Sequence, residues 1–343
     1  MENKYTFKVI ELNSIDIKTF NGYPHKSVNT TKEWIEFIAE DSSANPYILE
    51  IRSNDDKLVG YFSALIVKKF GLKIVGSPFP GWSTVYMGLD VNNHNQKSEI
   101  LNDLIPFVMN DTNCAYLQIC DRDFTTSDLE IICKKYGGKI EYSETLELRI
   151  DGDDVQQYKK MKSDCRNFIK QFERRGAIIE EATPDDAFAE EYYEHLRDVF
   201  AKQGLVPTYT VDKVKCLLKH LAKTENVYCL RVRNPEGKSI ATSIFLGFNH
   251  KMFFWGGASL REYQHYRPNE YMIYTAMHYW RERGCVEFDM VGNRPYKKKF
   301  GSYEVLYPSI IVTKYKILIL LKNIAASIYY FTGKLYWRLN INR

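Results

Sequence analysis

Between residues 47 and 79 the chain runs in β-branched and aromatic stretches, interrupted by two short polar breaks, "SNDDK" and "KKFGLK". Apolar runs bounded by turn residues predict a three-strand meander. Residues 230–259 repeat the scheme as strand, polar turn, long strand, short turn and strand. Setting Ile51 on Val232 also sets Arg52 on Arg233 and Lys57 on Lys238, a constant offset of 181 residues. Each meander is followed by a helical pattern, "KSEILNDLIPFVM" or "NEYMIYTAMHYWRERG", and then by a short strand, "AYLQICD" or "VEFDMVG". Pro268 suits the first turn of the second helix and Gly284 its C-terminal cap. A meander, a crossover helix and a returning strand in tandem predict an α/β chain with two mixed sheets and helices on their faces.

Between the halves, Tyr158, Met161, Cys165, Phe168 and Phe172 recur at helical spacing, which predicts one long amphipathic helix over 153–176. Lys159, Lys162, Arg166 and Lys170 run along its edge. That edge is either a solvated face or a contact for phosphate, which guanidinium groups bind in a bidentate fashion. A single core stops growing near roughly 250–300 residues, so a chain of this length predicts two domains of similar size. The expected divisions are 1–150, 151–315 and a basic amphipathic C-terminal helix over 316–343.

Composition narrows the function by exclusion. Hydrophobic content of 45% and charge of 26% are those of an ordinary globular protein. The seven cysteines form no CxxC pair and no Cys/His cluster, so reduced thiols and no metal site are expected. The polar N-terminus lacks the features of a signal peptide, making a cytoplasmic protein the expectation. A net charge of +4 offers little footprint for tRNA. The charge is uneven, however: after Glu304 there is no acidic residue, while Lys314, Lys316, Lys322, Lys334, Arg338 and Arg343 alternate with apolar and aromatic side chains. Such a tail suits either a helix docked on its own domain or peripheral contact with the anionic inner leaflet of a membrane. Its apolar run "ILILL" is too short to span one. No Ser-His-Asp arrangement, P-loop or GxGxxG is present, and His265 and His278 are read as structural.

The clustered charge in "NRPYKKKFGS" (293–302) directly after "VEFDMVG" is the most pointed feature. If Tyr296 and Phe300 pack inward, the intervening Lys297 is held at a cleft while its neighbours reach water. Asp289 lies near the C-terminal end of a strand, where open α/β sheets place ligands. It either handles an attacking amine or caps the loop that follows. Gly256 and Gly257 either admit a ligand to the backbone or mark a β-bulge. Tyr209 either lines a cleft or belongs to the core, and Arg294 could hold a phosphate.

In this order, "FFWGGAS", "YRPNEYMIYTAMHYWRERGCVEFDMVG" and "YKKKFGS" resemble the FemAB-like branch of the GNAT acyltransferase superfamily, which includes BioF-like acetyltransferases. The pattern of a strand with Asp, a loop, and aromatic-Lys-x-x-Phe-Gly is carried by Asp289, Tyr296, Lys297, Phe300 and Gly301. Ser163, Arg166, Ile169 and Gly176 are similar to a second family segment. The resemblance implies two tandem GNAT-like domains, with the active site in the second. It gives Lys297 and Asp289 catalytic roles, Lys297 stabilising a tetrahedral intermediate or holding an anion. Arg166, Lys170, Tyr209, Gly256, Gly257, Arg294 and Tyr296 are the expected substrate-binding positions. One departure stands out: "SLREYQHYRPNEY", where GNAT enzymes carry a glycine-rich loop for the CoA pyrophosphate, contains no glycine.

The expected activity is N-acyl transfer to an amino group of a cell-envelope or polysaccharide precursor, a sugar or peptide that is lipid-linked or free. The expected co-substrate is an acyl-CoA, acetyl-CoA first. The alternatives are an aminoacyl-tRNA-dependent peptidoglycan peptidyltransferase of the FemX type, and a non-catalytic module that binds an envelope polymer.

Overall fold

A computed structural model describes residues 4–201 and 204–324. The chain divides into two units, Met1–Glu144 with Leu306–Leu321, and Thr145–Val305 with Lys322–Arg343. In the first, β1 (Tyr5–Ile10), α1 (Ile17–Asn21) and α2 (Lys32–Ser42) precede the meander β2 (Asn45–Ser53), β3 (Leu58–Lys69) and β4 (Leu72–Ser77). A short β5 (Leu89–Val91), α3 (Lys97–Asp111), β6 (Tyr116–Cys120) and α4 (Thr126–Tyr136) follow. Strand β7 (Lys139–Arg149) leads to α5 (Asp154–Lys160), α6 (Ser163–Arg174), β8 (Ile178–Glu181), α7 (Asp186–Ala201) and α8 (Val211–Leu221). The second meander is β9 (Val227–Arg233), β10 (Ser239–Phe248) and β11 (Lys251–Ser259), followed by α9 (Pro268–Glu282), β12 (Glu287–Asp289) and β13 (Tyr303–Thr313).

The repeat read from the sequence survives in the hydrogen-bond register. Arg52 lies opposite Leu58 and Ile51 opposite Gly60. Arg233 lies opposite Ser239 and Val232 opposite Ala241, so both hairpins keep the offset of 181. In the first unit the strand order is β1-β2-β3-β4-β6, antiparallel except for the parallel pair β4–β6. In the second it is β8-β9-β10-β11-β12, antiparallel except for β11–β12. The free edge of β6 is taken by Ser309–Thr313 of β13, and that of β12 by Glu147–Arg149 of β7. Each returning strand is thus bordered by an antiparallel strand from a distant part of the chain.

Helix α9 shows why these residues form these elements. Pro268 opens it, where a missing N–H costs nothing. Met272, Ile273, Ala276, Met277 and Trp280 fall on one side and are buried against the sheet. Each large side chain so buried contributes about 1.5–3 kcal/mol. Gly247 makes room for the last of them, since a Cβ there would lie 2.3 Å from the Trp280 ring.

The helix expected over 153–176 is two helices. The chain is extended at Met161 and Lys162, between α5 and α6, and Lys162 N donates to Lys299 O at 2.8 Å. The apolar stripe runs on through the break, as Met161, Cys165, Ile169 and Phe172 are all buried. All seven cysteines are free thiols. Of the C-terminal helix expected over 316–343, residues 317–324 are helical and 325–343 lie outside the described residues.

Candidate active site

Strand β12 pairs with β11 only across Lys251–Phe253, opposite Glu287–Asp289. Beyond that point β11 continues to Ser259 while the other chain leaves the sheet. The C-terminal half of β11 borders a cavity of about 320 Å³, lined by Phe254, Gly257, Ser259, the start of α9, Tyr296 and Lys299; Lys297 is not on its wall. It lies outside the carboxyl ends of parallel strands, the usual ligand position in α/β sheets.

The loop after β12 is strained. Val291 has φ +54°, a left-handed conformation that a β-branched side chain adopts only under constraint, and Gly292 follows at +80°. The constraints are visible. Asp289, wholly buried, accepts through Oδ1 from Thr145 Oγ1 at 2.6 Å and Val291 N at 2.8 Å. Thr145 Oγ1 in turn accepts from Gly292 N at 3.1 Å. Of the two uses read from the sequence, the loop cap is the one these bonds describe.

Lys297 closes the loop from the other side. It sits in a 3-10 turn, Pro295–Phe300, and is only 5% exposed. Its Nζ donates to Met290 O at 2.5 Å and Val291 O at 2.6 Å. Phe254 and Tyr296 rings lie 5.4 and 5.8 Å from the ammonium. Burial lowers its pKa from 10.5 to about 8; the Asp289 carboxylate opposes this fall and Arg294 adds to it. An ammonium has three donors and main-chain carbonyls take two.

The first unit offers a contrast. At the end of β6 the buried Asp121 is bonded by Lys97 Nζ at 2.7 and 2.9 Å, and Lys97 also pairs with Asp123 at 2.8 Å. There a buried lysine is neutralised by carboxylates. Lys297 instead is hydrogen-bonded by neutral carbonyls, with the Asp289 carboxylate favouring its charged form through space.

The remaining candidates are placed as follows. Arg166 Nη1 donates to Met161 O at 2.5 Å and Lys159 O at 3.4 Å, satisfying carbonyls at the end of α5. Lys170 and Arg294 are exposed. Tyr296 lines the cavity. Tyr209 Oη bonds Tyr192 Oη at 2.8 Å, beside the Trp255 ring at 5.2 Å, and burial raises its pKa to about 12. A Cβ on Gly256 would lie 2.2 Å from Tyr192 Oη, so this glycine makes space for the tyrosine pair. Gly257 lines the cavity, close against Phe254 and Ser243. A register shift between Ile244 and Phe245 makes Trp255 the extra residue of a β-bulge just before these glycines.

Three cavity residues escaped the sequence reading. The glycine-free loop winds as a 3-10 turn, Arg261–Tyr266, and ends with Arg267 at φ +60°, doing with an arginine what glycine usually does. The Arg267 guanidinium lies 4.2 Å from the Phe168 ring centre and donates to Gln171 Oε1 at 3.3 Å. Lys299 pairs with Glu270. "RPNE" after an aromatic loop was the available signal, and the absence of glycine hid it.

Residues 159–298 match the family of acetyltransferase (GNAT) domains. The chain is 28% identical over 111 residues to lipid II:glycine glycyltransferase of Staphylococcus saprophyticus, covering 27% of each chain. It is 30% identical over 100 residues to lipid II:glycine glycyltransferase of Staphylococcus aureus, covering 24% of each. These alignments therefore span about a quarter of the curated relatives' length. Among solved structures, FemX superposes with a TM-score of 0.75 at 15% identity, covering 92% of this chain and 99% of FemX. A conserved protein of unknown function from Bacteroides thetaiotaomicron superposes with a TM-score of 0.57 at 12% identity, covering 90% and 99%.

Proposed function

We propose that this chain, which matches a GNAT domain over residues 159–298 and shares the fold of FemX along nearly its whole length, belongs with the FemAB-like GNAT enzymes and transfers an acyl or aminoacyl group to an amino group of a cell-envelope precursor. The observation that carries the proposal is the buried Lys297 ammonium, fixed by two carbonyls where β11 and β12 part. Acyl transfer develops negative charge on the carbonyl oxygen, and a preorganised cation in a site shielded from water stabilises that charge. The third N–H of Lys297 is the donor for the oxyanion. Its retained charge fits this role, because a pKa near 8 leaves most of the group protonated at neutral pH.

The acceptor is an amine-bearing sugar or peptide precursor. The similarity to lipid II:glycine glycyltransferases supports a lipid-linked form, met at the inner leaflet. The donor is an acyl-CoA or an aminoacyl-tRNA. The GNAT match supports the first; the glycyltransferase similarity and the glycine-free loop support the second.

The test offers purified protein a lipid II acceptor with either radiolabelled acetyl-CoA or tRNA charged with radiolabelled glycine. Label on the acceptor amine from one donor, lost in Lys297→Met, is the expected result. Acceptor binding without transfer from either donor would leave the polymer-binding reading in its place.

A further inference from the structure

After β13 the chain turns at Tyr315 and Lys316, and residues 317–324 are helical. Ile317, Leu320, Leu321 and Ile324 are 61, 56, 49 and 44% exposed. Their spacing, i, i+3, i+4 and i+7, gathers them on an arc of about 100°. Leu318 and Ile319, on other sides of the same helix, are half-buried. The helix therefore turns a continuous apolar stripe toward solvent, an arrangement that marks a contact surface more often than bare solvation.

The surrounding charge identifies what the stripe meets. Lys314 and Lys316 are exposed at the start of the helix and Lys322 lies within it. From Val305 to Arg343 the sequence holds six lysines and arginines and no aspartate or glutamate. Tyr315, 55% exposed, stands at the end of the stripe, and tyrosine is enriched where hydrocarbon meets headgroups. An apolar stripe flanked by cations and an amphipathic ring complements an anionic bilayer surface. No helix among the described residues is long and apolar enough to cross a membrane.

We infer that the 317–324 helix docks the protein on an anionic bilayer, its stripe lying in the interface and the preceding Lys314 and Lys316 against lipid phosphates. This deepens the inner-leaflet placement proposed above. Vesicle binding needs no acyl donor or acceptor, so its failure is separable from failure of the transfer reaction.

The experiment is co-sedimentation of the full chain with phosphatidylcholine vesicles made with and without phosphatidylglycerol. Binding is expected on the anionic vesicles and should fall with added salt. Leu320→Glu/Leu321→Glu should lower the partition coefficient at least about tenfold. Lys314→Gln/Lys316→Gln should lower it roughly fivefold per lysine, on anionic vesicles alone. All four positions are exposed, and unchanged circular dichroism would verify the fold of each variant. No binding by the wild type, or equal binding by wild type and both variants, overturns the inference. So does light scattering in which the leucine variant dissolves a dimer, since a second copy would then be the occupant.

Discussion

Replacing Lys297 by methionine removes the ammonium while keeping an unbranched stem, and two effects of opposite sign follow. On stability, the fall in pKa from 10.5 to about 8 means that folding holds this proton less tightly than the unfolded chain does. At about 1.4 kcal/mol per tenfold change in proton affinity, the charged form costs the fold roughly 3 kcal/mol. Between pH 8 and 10.5 the unfolded chain binds the extra proton, so this cost is fully present below pH 8 and is relieved as pH rises. The variant has no such dependence. It also leaves the carbonyls of Met290 and Val291 without their donor, at a cost of about 1–3 kcal/mol each. Urea unfolding of both proteins across this range should show wild type gaining on Lys297→Met by up to roughly 3 kcal/mol as pH rises. On activity, losing one oxyanion donor typically lowers kcat about 10²- to 10³-fold. The wild-type profile should fall above about pH 8 as the ammonium is lost. A variant whose kcat stays within threefold of wild type, or a wild-type rate that climbs through pH 8 to 10 with the variant's, refutes the oxyanion role.

Three further outcomes follow from the same geometry. Asp289→Asn retains an oxygen to accept from Thr145 and Val291, so kcat should change by less than about tenfold if this residue caps the loop; a loss of 10²-fold or more would mark it as the proton acceptor. Gly256→Ala drives a methyl into the Tyr192 hydroxyl and should cost about 1–3 kcal/mol in chemical unfolding, with an unchanged midpoint showing that the tyrosine pair moves freely. Arg267→Gly and Arg267→Ala both remove the guanidinium from Phe168, but only alanine keeps the left-handed strain, so the glycine variant should be more stable by about 1 kcal/mol. Equal melting of the two would mean the turn relaxes around alanine.

Much of this architecture is written in short-range patterns. The 181-residue offset appeared in the sequence because both hairpins need a strand, a polar turn and a strand of matched length, and the register of Arg52 and Arg233 reproduces it. Helix α9 was equally plain from Pro268, Gly284 and its apolar spacing. The break at Met161 and Lys162 was not, because the apolar stripe continues through it and the bond that fixes it comes from Lys299, far along the chain. For Arg166 the sequence left a solvated face and a phosphate contact open, because it shows a guanidinium's charge and not its partners, which here include two carbonyls bonded by Nη1. Lys297 was singled out by its place in the aromatic-Lys-x-x-Phe-Gly motif; of its two flanking rings Phe300 is buried and Tyr296 is 46% exposed. That β12 ends before β11 is a tertiary fact without a local signature.

The most direct measurement is a crystal structure with a non-hydrolysable acyl donor. The donor is expected in the cavity bounded by Phe254, Gly257, Ser259 and Tyr296, its acyl oxygen reaching within hydrogen-bonding distance of Lys297 Nζ. A donor bound with full occupancy elsewhere, its acyl oxygen out of reach of Lys297 Nζ, would contradict it.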